Sequence, residues 1–128
     1  MNERHPEQDW FKKAEQDLEM ARRAMLPGDP IPEMACYHAQ QCAEKYLKGF
    51  LVSSSHSLNM VHDLFYLTQE CAQSHPAFSQ LKLAAETLGR YGAGVRYPLE
   101  IFVDPNEEEA WEAIRLAEEV ATFVKSQL

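Results

Sequence analysis

The sequence predicts an all-α domain, an up-and-down four-helix bundle carrying one additional short or kinked helix. Apolar residues recur at helical spacing in four long segments. Prolines, glycines and serines cluster between those segments. The only short run with strand character, Ile101, Phe102 and Val103, has no second β-pattern to pair with.

In "DWFKKAEQDLEMARRAML", Trp10, Ala14, Leu18, Ala21 and Met25 form a stripe that Phe11 and Leu26 widen, which predicts a helix over about 6–26. The prolines and glycine of "PGDPIP" end it. A second helix is predicted over about 33–53, with Ala35, Ala39, Cys42, Tyr46 and Phe50 on one face and Ala43, Leu47 and Leu51 beside them. So wide an apolar arc needs neighbours on more than one side.

The polar connector "SSSHSLN" leads to "MVHDLFYLTQECAQS", a third helix with Val61, Leu64, Phe65, Leu67, Thr68 and Cys71 on its apolar side. Pro76 opens the next helix, where Phe78, Leu81, Leu83, Ala85 and Leu88 face inward until Gly89, Gly92 and Gly94 loosen the chain. "GAGVRYPLEIFVDP" reads as a loop. Asp104 or Asn106 then caps a final helix. Glu107, Glu108 and Glu109 occupy its first turn, where the helix dipole favours negative charge, and Trp111, Ile114, Ala117, Val120, Ala121 and Val124 face inward.

A chain of 128 residues is one ordinary domain, 1–128, long enough to bury a core without disulfides or metal. An apolar share of 45% and a charged share of 25% place it among globular chains rather than disordered ones. No run approaches the ~18 apolar residues of a spanning helix. The opening "MNERHPEQDW" lacks the apolar centre of a signal peptide, so a cytoplasmic location and no membrane partner are expected. Cys36, Cys42 and Cys71 are odd in number and lie inside helical patterns, which predicts reduced, buried thiols. A formal charge of -8 argues against a free-standing nucleic-acid binder, so an anionic partner would have to meet a local basic patch.

The chemistries common in helical bundles find little support. Di-iron sites need Glu-x-x-His pairs, and no histidine here has a glutamate three residues before it. Cys36 and His38 are too close in sequence to share one helical face as zinc or haem ligands. The loop serines Ser53 to Ser55 near His56 or His62 have no distinctive catalytic spacing. "GRYGAGVR" lacks the lysine and the preceding strand of a phosphate loop. No metal and no cofactor are expected.

One polar stripe stands out. At about 100° per residue, Tyr37, His38, Gln41, Lys45 and Lys48 run up the second helix beside its apolar arc. The plain alternative is a solvated face with Glu44 and Lys48 as an i,i+4 pair. His62 and Asp63 at a helix start, and Arg96 in a loop before Pro98, join the stripe as candidates.

With "CYHAQQCAEKYLKGFL" at 36–51, "HDL" at 62–64 and "RYP" at 96–98, in that order, the chain resembles the HEPN family, the helical "higher eukaryotes and prokaryotes nucleotide-binding" domains. Its "DWFKKAEQDLEMAR" is similar to the family's first helix, so the likeness covers nearly the whole chain. The resemblance implies a bundle of four or five helices, frequent homodimers and frequent pairing with a small nucleotidyltransferase encoded alongside. Many members are metal-independent RNases whose motif is an arginine, four to six residues and a histidine. That motif is missing: the window after Arg90 reads "VRY", the window after Arg96 reads "IFV", and no other arginine reaches a histidine at that distance.

The resemblance therefore implies a non-catalytic HEPN module that binds a nucleotide, a nucleotidyltransferase partner or both, in a toxin–antitoxin-like pair. Lys45, Lys48 and Arg96 would meet phosphates, His38, Gln41 and Tyr97 would hydrogen-bond to or stack on a base, and His62 and Asp63 complete the set. The competing readings are a metal-independent RNase toxin with a degenerate active site, in which His38 or His62 substitutes, and a purely structural dimerisation bundle.

Overall fold

Pro6 and Pro32 stand at first-turn positions, where an N–H would have no intrahelical partner, and each opens a helix: α1 (Pro6–Ala24) and α2 (Pro32–Ser53). The computed structural model describes residues 5–54, 63–92 and 104–128. Between α1 and α2, Gly28 adopts φ +109°, a left-handed conformation that side chains resist, and the Ile31 N–H donates to the Ala24 carbonyl at 2.7 Å to close the turn. α3 (Leu64–Ser74) begins at Asp63, whose Oδ1 accepts from the N–H groups of Phe65 and Tyr66 at 2.9 and 3.2 Å.

A 3₁₀ segment (Pro76–Leu81) runs directly into α4 (Lys82–Gly89). α5 (Glu107–Ser126) starts with a reciprocal cap: the Glu109 N–H donates to Asn106 Oδ1 at 2.8 Å and the Asn106 N–H to Glu109 Oε1 at 3.1 Å. The domain is all-helical, and five α-helices and no strand occur among the described residues. No described helix is long and apolar enough to cross a membrane.

α2 is the central element. It packs against α1 on one side and α5 on another, with α3 and α4 completing its surroundings. The wide apolar arc is thereby covered: Ala35, Ala39, Cys42, Ala43, Tyr46, Leu47, Phe50 and Leu51 are all buried. Phe11 of α1 stacks on Tyr46 at 5.5 Å, and Phe78 sits between Phe50 at 4.5 Å and Phe123 of α5 at 5.0 Å. Cys36, Cys42 and Cys71 are buried, free thiols.

Three residues expected inward face out. Leu83 is 73% exposed because it stands two residues, or about 200°, from both Leu81 and Ala85, so that Leu81, Ala84, Ala85 and Leu88 carry the inner face at helical spacing. Leu26, 61% exposed, lies beyond the end of α1. Trp111, 51% exposed, is one step off the inner stripe of Ala110, Ala113, Ile114 and Ala117. The loop expected around Ile101 and the connector around His56 fall outside the described residues.

Candidate functional site

Between residues 35 and 51, only Tyr37, His38, Gln41 and Lys45 of α2 escape full burial. The predicted stripe therefore surfaces along a line where an otherwise enclosed helix meets α1. From α1 comes a residue the periodicity had not singled out. Asp17, on the inward stripe beside Ala14, Leu18 and Ala21, is itself buried at 8% exposure.

The Asp17 carboxylate holds two groups of α2 at once. His38 Nδ1 lies 2.9 Å from Asp17 Oδ1, and Lys45 Nζ donates to Asp17 Oδ2. The geometry is a carboxylate bridging an imidazole and an ammonium, with side-chain exposures of 11, 19 and 27% for Asp17, His38 and Lys45. An ionised carboxylate only accepts hydrogen bonds, so the His38 hydrogen facing it sits on Nδ1. The Tyr37 ring meets the His38 ring edge-on at 5.2 Å.

The remaining α2 candidates form a second, deeper polar run. Lys48 Nζ donates to Glu44 Oε2 at 3.0 Å, Gln40 Nε2 to Glu44 Oε1 at 3.4 Å, and Gln41 Nε2 to Gln40 Oε1 at 2.6 Å. Lys48, Glu44 and Gln40 are buried at 6, 4 and 1% exposure, and the Lys48 ammonium also lies 5.7 Å from the Trp10 ring centre. The i,i+4 pair of Glu44 and Lys48 thus exists, but inside the protein rather than on a solvated face. Asp63 is the cap of α3, while His62, Arg96 and Tyr97 lie outside the described residues.

The HEPN domain model matches residues 7–127. The chain belongs to the HEPN domain family. Two solved structures share its fold over nearly their full lengths. TT1696 from Thermus thermophilus is 28% identical, with a TM-score of 0.84 over 98% of this chain and 100% of that one. ST0689, an archaeal HEPN homologue, is 32% identical, with a TM-score of 0.73 over 94% of this chain and 96% of that one. No curated protein matches this HEPN chain.

Within the HEPN bundle, α2 therefore carries two polar systems with different chemical capacities. The Asp17–His38–Lys45 cluster can donate or accept at its open edge, because Lys45 keeps ammonium hydrogens beyond the one given to Asp17 and His38 keeps Nε2. The Gln40–Glu44–Lys48 run fixes partners for one another in the interior, where an unpaired charge would be strongly destabilising. No three His, Cys, Asp or Glu side chains gather as metal donors among the described residues. Asp17 was detectable in principle. It is the one carboxylate at i+3 from Ala14 and i-4 from Ala21, on a face otherwise apolar.

Proposed function

We propose that this HEPN domain is a nucleotide-binding module without RNase activity, working as a homodimer beside a small nucleotidyltransferase-fold protein in a toxin–antitoxin-like pair. One observation carries the reading. The central helix comes to the surface over 35–51 only at Tyr37, His38, Gln41 and Lys45, all four with hydrogen-bonding groups. A purely structural helix has no need to keep its only open line polar and cross-braced by a carboxylate from its neighbour.

The dimer draws support from a different surface. Trp111 and Leu26, half or more exposed, border a groove of about 590 Å³ whose lining joins apolar Met25, Pro27 and Ile114 to charged Arg22, Arg115 and Glu118. Calorimetry with ATP, GTP and short oligonucleotides at millimolar concentration tests the ligand. The reading requires binding of at least one and its weakening in Gln41→Ala with unchanged circular dichroism. Silence from all of them sinks it. Light scattering tests the dimer, which is excluded by a species of 14.7 kDa, the mass of one chain, at micromolar concentration. Co-purification with a nucleotidyltransferase encoded beside the gene tests the partner.

A further inference from the structure

Lysines on a nucleotide-binding face ordinarily hold phosphate, but the partners of these two point to another role. Lys48 is buried and its ammonium is paired with Glu44 at 3.0 Å. Lys45 is nearer the surface, yet its charge is balanced by Asp17, so a phosphate arriving there would face the Asp17 carboxylate as well.

Two acceptor atoms are left over on the open line, beside the hydrogens that Lys45 and Gln41 still keep. In its neutral form, with the hydrogen on Nδ1 directed at Asp17, the His38 ring would present Nε2 as a lone pair, and that atom has no partner among the described residues. Gln41 spends a hydrogen of its amide on Gln40 Oε1 at 2.6 Å, and its own carbonyl oxygen has no donor among the described residues. Positions 38 and 41 are three apart on one helix, hence neighbours roughly 5–6 Å apart on the same face. Phosphate oxygens only accept, and two acceptors beside a carboxylate offer them little. Ribose hydroxyls and exocyclic amines donate, and two adjacent acceptors suit them.

We infer that the α2 face of this domain binds the nucleoside portion of the ligand, through its hydroxyl or amino donors to His38 Nε2 and Gln41 Oε1, and does not bind its phosphates. The inference rests on the nucleotide reading above. Asp17 is the positioning residue: it fixes the His38 tautomer and cancels the Lys45 charge. The edge of Tyr37 beside His38 gives the site an aromatic flank.

Titration calorimetry with adenosine, AMP and ATP, and with guanosine, GMP and GTP, at low and high salt, tests it. For the base that binds, nucleoside and triphosphate should agree within about threefold, and nucleoside affinity should be insensitive to salt. His38→Ala and Gln41→Ala should each weaken the nucleoside by about three- to tenfold, the loss of one hydrogen bond. Asp17→Asn, by freeing the Lys45 charge, should create a preference for the triphosphate. Nitrogen NMR of the His38 ring, which needs no variant, should find the hydrogen on Nδ1 and a perturbed Nε2 when the nucleoside is added. A wild-type preference of tenfold or more for the triphosphate, eroded by salt, overturns the inference and leaves the nucleotide reading standing. A His38 hydrogen on Nε2 also overturns it. Silence from all six compounds overturns both.

Discussion

A methyl group on Gly49 would lie 2.5 Å from Cε1 of Phe11, and 3.0 Å from the Trp10 Cβ, so α1 and α2 meet at a point where only glycine fits. Phe11 cannot swing aside freely, because it stacks on Tyr46. Gly49→Ala should therefore destabilise the domain. Overpacking costs about 1–3 kcal/mol and the better helix propensity of alanine returns about 1, leaving a net loss of about 1 kcal/mol in urea unfolding. A more stable variant would show that the ring relocates at little cost.

Lys45 tests whether the α2 stripe is braced by α1. Its ammonium is held by Asp17 and its side chain is 27% exposed, so Lys45→Ala should cost about 1 kcal/mol, more than the ~0.5 of an ordinary surface lysine. Asp17→Ala removes the acceptor for both His38 and Lys45 and should cost about 2 kcal/mol. Adding Lys45→Ala to Asp17→Ala should then cost little more, and full additivity in a double-mutant cycle would refute the contact.

The cysteines predict a pH dependence. Burial pushes the Cys36 thiol up to about 11, against a lowering hydrogen bond with Tyr91, and the Cys71 thiol up to about 12. Burial also raises Cys42, and burial together with the Glu15 hydrogen bond raises the Tyr46 phenol. A group whose folded pKa lies above its unfolded one contributes stability that is complete below the unfolded value, about 8.5 for a thiol, and is lost as pH rises through the folded value. Unfolding free energy should therefore decline from about pH 8.5 toward 11–12. A thiol reagent at pH 8 should find none of the three cysteines in the folded protein and all three in denaturant. Rapid native labelling would refute their burial.

Purified, tag-free protein should leave structured and single-stranded RNA intact without added metal, because no arginine is followed by a histidine at the required distance. Cleavage that disappears in His38→Ala would instead make the Asp17–His38 pair a general base.

Much of the fold was legible because local chemistry decides it. Pro76 and Asn106, the second as one of two caps the sequence offers, mark helix starts by what their own backbone and side chains can do, and the wide arc of α2 announced a helix enclosed on several sides. The polar stripe was legible at Tyr37, His38, Gln41 and Lys45, whereas Lys48, expected on the same stripe, is buried. Periodicity reports which residues share a face, but not what crosses that face. Leu83 faces solvent because it lies about 200° from Leu81 and Ala85, and the small Ala84, no more apolar in sequence than its neighbours, takes the inner position instead. The partners of the stripe were hidden for a stronger reason. Asp17 meets His38 and Lys45 across 21 and 28 residues of sequence, and only the crossing of α1 over α2 brings its carboxylate to both. The same packing buries the Glu44–Lys48 pair that sequence spacing alone would leave in water. Sequence determined that α2 is a helix with one polar line, and tertiary structure decided which charges on it are already answered, because pairing depends on distances that only the packed helices set.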